Sequence, residues 1–340
     1  MAAPVPPLPL DLSTVLTESK RIINAHSRHF LALSVFFLLP PSFSLTVYPT
    51  LHSLLTQSSS HNSKIRLSSY VFVDQIQNPS HLLTSRTLLL SLLFAFFVAV
   101  FALLAIGSLT CSVLHGFYGR PVKLVSAVKS AFTSFFPLLI TVVFSQIIVS
   151  ALIFVTGFSF FLVIQGIELL GFQFDYSSPY FIGFSVAISI VLLLVIVYLQ
   201  LNCSLAGIIV VVESSWGFEP LKRSTFLIKR MRGVALALQL FFVFLGGVLL
   251  LVSTASGLTL GIGTNNGWKS SAFVLQIVLT STLLMLLLLY NVAANTVLYM
   301  YCKATHGELV SEIAEEFARE YVSLPFDDGK VPHLISVAYT

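Results

Sequence analysis

The stretch TLLLSLLFAFFVAVFALLAIGSLTCSVLH, residues 87–115, contains no Asp, Glu, Lys or Arg. A helix needs roughly 20 residues to cross about 30 Å of hydrocarbon. This run is longer than that, and it is unbroken by the apolar–polar alternation of an outer-membrane strand. It reads as a transmembrane helix. The rest of the chain agrees: of 340 residues, 56% are hydrophobic, 9% are charged and 30 are Phe, and the mean hydropathy is +0.93. Soluble domains carry about 25% charged residues. A soluble core cannot hide this much apolar surface, whereas a bilayer can.

Five further runs have the required length: 30–49, 136–167, 180–212, 234–256 and 272–301. The third and fourth of the six spans are too long for one upright crossing and too short for two with a turn. Tilt, a bend near Gly157 or projection beyond the bilayer would absorb the excess. Pro40 and Pro41 lie inside the first run and should kink or split it, because Pro lacks an N–H and its ring clashes with the preceding turn. That run begins too late for a cleavable signal, and MAAPVPPLPL reads as a Pro-rich lead. Three widely spaced Cys make no disulfide framework.

Basic residues set the orientation. Lys20, Arg21 and Arg28 precede span one. Arg120, Lys123 and Lys129 follow span two. Lys222, Arg223, Lys229, Arg230 and Arg232 follow span four, and Lys303, Arg319 and Lys330 follow span six. Fourteen of the eighteen Lys and Arg thus fall on one side, leaving Lys64, Arg66, Arg86 and Lys269 on the other. Both termini are expected in the cytosol, in the endoplasmic reticulum or another endomembrane rather than the plasma membrane. The 51–86 loop is expected to be luminal or external. Its Asn78-Pro79-Ser80 is no glycosylation acceptor, because Pro occupies the middle position.

The densest basic segment is GFEPLKRSTFLIKRMRG, residues 217–233. On a helical wheel Leu221, Ser224, Leu227, Ile228 and Met231 share one arc, opposite Lys222, Arg223, Lys229 and Arg230. Glu219 and Pro220 suit the first turn. The segment therefore predicts an amphipathic interfacial helix over 219–232. Three readings are open to it: a topology anchor, a contact for anionic lipid headgroups formed by Lys222, Arg223, Lys229, Arg230 and Arg232, and a docking surface for protein. The small, localised net charge of +4 suits a membrane surface rather than nucleic acid.

Part of this element recurs. Lys129-Ser130-Ala131-Phe132 parallels Arg223-Ser224-Thr225-Phe226 ahead of the next span, predicting a second interfacial helix over 120–132. Cys111, Cys203 and Cys302 close the even spans, and Cys-x-x-x-His-Gly occurs at 111–116 and again at 302–307. The expected fold is an all-α polytopic membrane protein. Its six transmembrane helices form three pseudo-repeated hairpins over 30–302, each preceded by a cytosolic amphipathic helix, the first within residues 1–29. Units of two spans keep one orientation, so the repeats are parallel. An acidic cytosolic tail over 303–340 carries Glu308, Glu312, Glu315, Glu316 and Glu320 and could dock on the basic 222–232 segment.

The segment LKRSTFLIKRMRG and the span after it resemble the membrane domain associated with bacterial glycerophosphodiester phosphodiesterases. With Glu18-Ser19-Lys20 before span one, the whole chain resembles a plant family of uncharacterised six-span proteins. Neither resemblance implies catalysis. No metalloprotease helix motif, nucleophile elbow, P-loop or dinucleotide fingerprint occurs, and no cofactor is expected. The three Cys with His115 and His306 would suit zinc chemically, but no close Cys pair exists, so no metal site is assigned. Juxtamembrane Cys111, Cys203 and Cys302 are candidates for S-palmitoylation. The candidate pathway residues inside spans are Gln146, Gln165, Gln200, Asn202, Gln239, Gln276, Asn291 and Asn295, all neutral amides. Interhelical hydrogen bonding accounts for such residues. The function expected is structural or lipid-interacting, without catalysis, in secretory-pathway membranes. A channel or facilitator for an uncharged or lipid-like substrate is the alternative, and a membrane-embedded enzyme is a more distant one.

Overall fold

The computed structural model describes residues 11–49, 51, 79–120, 123–169, 179–261 and 271–308. Most of the 51–86 loop, the Pro-rich lead and the acidic tail beyond Glu308 lie outside the described residues. All regular elements among the described residues are helices: α1 (Leu12–Ala25), α2 (Ser27–Pro49), α3 (Pro79–Phe117), α4 (Leu124–Leu169), α5 (Pro179–Cys203), α6 (Ala206–Glu213), α7 (Glu219–Ile228), α8 (Arg232–Gly261) and α9 (Ser271–Thr305). Six helical segments are long and apolar enough to cross a membrane. They are α2, α3, α4, the α5–α6 pair, α8 and α9.

Several boundaries differ from the sequence reading: α3 begins at Pro79, inside the expected 51–86 loop, span four is interrupted after Cys203, and three further differences each have a local reason. Span one is not split at Pro40-Pro41. A π-helical turn at Ser34–Leu38 precedes the prolines, and the Leu39 N–H donates to the Ser34 carbonyl, five residues back. Widening the helix just before a proline relieves the clash with the preceding turn. The expected 120–132 helix is no separate element. Residues 124–135 contain no breaker, and α4 continues through them, through Pro137 and through Gly157 for 46 residues. Leu138, fully buried beside Leu103 and Val210, holds the helix at the proline. The expected 219–232 helix stops at Ile228, and Arg232 already opens α8.

The core lies at the end of the bundle that carries α1, α7 and the α3–α4 turn, here the basic end. There the last turns of α9 are enclosed: Ala293, Ala294, Val297, Leu298, Tyr299 and Cys302 are all fully buried. α1 packs on this part of α9 through Val15, Ser19, Ile22 and Ile23, one helical face. α2 and α3 run antiparallel, tied at one end by His29 Nε2 and Ser112 Oγ (3.1 Å) and at the other by Tyr48 Oη and Ser91 Oγ (2.7 Å). By contrast, no residue in the most apolar stretch of span three or span four is buried. Phe154 and Leu194 are among the most exposed side chains, as expected for helices whose solvent is lipid.

α3 and α4 cross closely because Gly107 faces Ala131. A Cβ on Gly107 would lie 3.0 Å from the Ala131 Cα, and the Ser130 hydroxyl donates to the Gly107 carbonyl at 3.3 Å. Small residues permit such approaches in membranes. Gly107→Ala presses against backbone that cannot rotate away and should cost about 1–3 kcal/mol. Gly157→Ala meets nothing within 4 Å and should be neutral or stabilising by up to about 1 kcal/mol through helix propensity. Thermal unfolding in detergent separates the two variants; equal midpoints would contradict the close crossing.

Candidate functional site

Span four is broken at Ser204-Leu205, between α5 and α6. Irregular backbone within a bilayer requires protein or a polar cavity around it, and both are found. The Ser224 hydroxyl of α7 donates to the Asn202 carbonyl at 2.5 Å, pinning α7 across the break. Leu221, Ser224, Leu227 and Ile228 of α7, and Met231 just beyond it, are buried. Their apolar face is covered by protein and not by acyl chains. Ser214, in the left-handed region at φ 52°, ends α6. The chain then returns to α7 through Gly217, whose N–H donates to Thr141 Oγ1 at 3.1 Å.

Beneath α7, beside the break, lies a cavity of about 370 Å³. Gln146 of α4, Gln200 of α5, Gln239 of α8, and Asn291 and Asn295 of α9 converge on it, joined by Ser145, Cys203 and Ser204. The lining contains no carboxylate, imidazole or cation. Its volume falls within the range of small-molecule sites. The expected interhelical amide bonds do not form here, because the helices stand apart around the cavity. Asn295 Nδ2 instead donates to Asn291 Oδ1 (2.7 Å) and to the Asn291 carbonyl (2.8 Å), within one helix. That leaves Asn291 Nδ2 as a donor and Asn295 Oδ1 as an acceptor. Among the described residues the side chains of Gln146, Gln200 and Gln239 make no hydrogen bond.

The five basic residues of the 217–233 stretch are not equivalent. Lys222, Lys229, Arg230 and Arg232 are exposed. Arg230 Nη1 donates to the Thr305 carbonyl at 2.8 Å, and Arg232 lies 5.6 Å from the Tyr198 ring centroid. Arg223 is turned inward. Its guanidinium contacts Glu213 (Nε to Oε2 3.4 Å) and, through Nη2, Glu308. Tyr299, fully buried, donates its hydroxyl to Glu213 at 2.8 Å. Burial of Arg223 alone would lower its pKa, but the hydrogen bonds and charges of Glu308 and Glu213 outweigh this and raise it. The guanidinium therefore stays charged. The sequence reading gave no role to Glu213 or Tyr299, whereas Glu308 is the member of the acidic tail that lies among the described residues, and it meets the basic segment at Arg223. Glu213, a carboxylate ending span four ten residues before Arg223, is the available hint.

Cys111, Cys203 and Cys302 remain separate. Cys302 is fully buried, which withholds its thiol from acylation, whereas Cys111 and Cys203 are partly exposed and Cys203 faces the cavity. Among the described residues no three His, Cys, Asp or Glu come close enough to hold a metal ion. His115 Nδ1 donates to the Cys111 carbonyl, and His306 Nδ1 to the Cys302 carbonyl, each at 2.8 Å.

These features define an integral, multi-pass helical membrane protein with a polar cavity among its spans. The chain belongs to the family described as Domain of unknown function (DUF8558), which matches residues 9–332. No curated protein and no solved structure matches it.

Arg223→Ala removes the cation that faces both Glu213 and Glu308 and should destabilise the protein by about 1–3 kcal/mol. Arg223→Lys should restore only part of this, since an ammonium lacks the planar fork. Lys222→Ala, on the exposed face, should stay within about 0.5 kcal/mol of the parent. Thermal unfolding of the purified variants reads all three, and an Arg223→Ala protein as stable as Lys222→Ala would contradict the network.

Proposed function

We propose that this protein is a lipid-interacting membrane protein, not an enzyme, and that it holds an uncharged, lipid-like molecule in the amide-lined cavity. The convergence of Gln146, Gln200, Gln239, Asn291 and Asn295, from four helices, carries this reading. Unpaired amides at membrane depth are costly, and a ligand with hydroxyl and carbonyl groups satisfies both their donors and their acceptors. The lack of any ionisable group but one thiol in the lining favours a neutral ligand and gives acid–base chemistry no agent. Such a site serves a facilitator or a lipid-holding scaffold equally.

In this reading the basic end faces the cytosol, with both termini, in an endomembrane. Lys222, Lys229, Arg230 and Arg232 meet anionic headgroups there, each worth about 1 kcal/mol near an anionic surface. The exposed Trp216, Phe218 and Phe226 beside them suit the headgroup region. Arg223 takes no part, because it is committed to Glu213 and Glu308. A threefold parallel repeat is supported by the matching His115–Cys111 and His306–Cys302 bonds and by Ser130 and Ser224 each donating to a carbonyl of the preceding even span. α1 packs on the end of α9, completing the cycle.

Two measurements test this account. Native mass spectrometry of the purified protein should find a retained neutral lipid. Replacing Gln239 and Asn291 together by Leu should weaken retention roughly tenfold or more, as loss of two hydrogen-bonding groups would. Unchanged retention in a folded double variant would refute the cavity's role. For orientation, Pro79→Ala unblocks the acceptor sequence at Asn78. Expression in endoplasmic reticulum membranes should then add one glycan removable by endoglycosidase, and an unglycosylated product would argue for the opposite orientation.

A further inference from the structure

A second, apolar groove of about 400 Å³ follows the seam between α4 and α5, lined by Leu152, Thr156, Phe160, Phe184, Val191 and Val195 among others. It lies further along two of the helices that line the amide cavity, and the two spaces share no lining residue. On α4 the order is Gln146, then Leu152 to Val163. On α5, which runs antiparallel, it is Gln200, then Val195 back to Phe184. The hydroxyls of this seam are turned back onto their own helix: Thr156 donates to the Leu152 carbonyl (2.9 Å) and Ser159 to the Thr156 carbonyl (2.8 Å). What the groove presents is therefore hydrocarbon. Near its far end Phe160 meets Phe184 and Phe181, with ring centroids 6.0 and 6.2 Å apart.

From Leu152 to Val163 the helical rise gives about 16 Å, close to the hydrocarbon depth of one leaflet, half of about 30 Å. A polar pocket with donors and acceptors, followed along the same two helices by an apolar groove about one leaflet deep, suits the two parts of an amphiphile. We propose that the occupant is an uncharged lipid of the diacylglycerol class. Its hydroxyl and ester carbonyls lie among the amides, and one acyl chain lies along the α4–α5 groove. This rests on the reading of the cavity as a ligand site and adds the lipid class and the path of its chain. A phosphate head is excluded by cost, since no cation lines either space and a bare charge at this depth is expensive.

The test uses the full chain in phosphatidylcholine vesicles, with two photoactivatable diacylglycerols, one carrying its diazirine at mid-chain and the other beside the glycerol. After irradiation and digestion, mid-chain adducts should fall on residues 152–163 and 184–195, and glycerol-side adducts on 200–208 and 291–295. Ala187→Phe fills the groove from an exposed position. It should cut the mid-chain adducts about tenfold, as displacement of roughly two methylenes would, and leave the glycerol-side adducts in place. Val191→Phe, on the same wall, should act alike. Unlabelled diacylglycerol should compete, and phosphatidic acid with the same chains should not. Mid-chain adducts elsewhere with glycerol-side adducts intact would overturn the groove and leave the cavity reading standing. Absence of glycerol-side adducts would bring down both. Equal competition by phosphatidic acid would overturn the restriction to uncharged lipid.

Discussion

The Ser224 hydroxyl on the Asn202 carbonyl, at 2.5 Å, is the contact on which the rest of the architecture hangs. Hydrocarbon supplies no partner for a backbone group, so a span that breaks must find one within the protein. Span four breaks at Ser204-Leu205, and α7 answers by lying across the break with Ser224 as donor. Seating α7 there buries Leu221, Leu227 and Ile228. It also brings Arg223 to Glu213 and Glu308, and roofs the cavity with Leu221. A regular helix through residues 203–206 would satisfy its own carbonyls and leave Ser224 without this acceptor.

The bundle is consequently firm at one end and open at the other. Around α9 the basic end is packed like a soluble core, with Tyr299 enclosed and its hydroxyl on Glu213. Toward the opposite end α4 and α5 stand largely alone in lipid. The amide cavity lies at the boundary between these two regimes, where spans that meet at the basic end begin to diverge. Its polarity follows from this geometry. The amides face the cavity from four helices, the Asn295–Asn291 bonds among them run within α9, and α7, seated on span four, covers it with Leu221.

Much of the fold is legible in the sequence because apolar length is a local property. Six uninterrupted runs give six helices long enough to span, and the arc containing Leu221, Ser224, Leu227 and Ile228 is the face that is buried. What covers that face is not legible, since a wheel cannot distinguish protein from lipid. Local signals also mislead at Pro40-Pro41, where a π-turn absorbs the strain, and at 120–132, where helix propensity runs straight into span three. The site is less legible still. Each amide stands out in its span, but their convergence depends on helix rotation. The Glu213–Tyr299 pair joins residues 86 positions apart, a separation at which charge pattern alone carries no pairing information.

The central claim, that the divergent spans hold open an occupied polar cavity, is tested most directly by a cryo-electron-microscopy map of the protein in a lipid nanodisc. The account predicts elongated density running from among Gln146, Gln239 and Asn291 into the α4–α5 seam. A map in which α5 closes on α8 and α9, with these amides hydrogen-bonded to one another and no density between them, would contradict it.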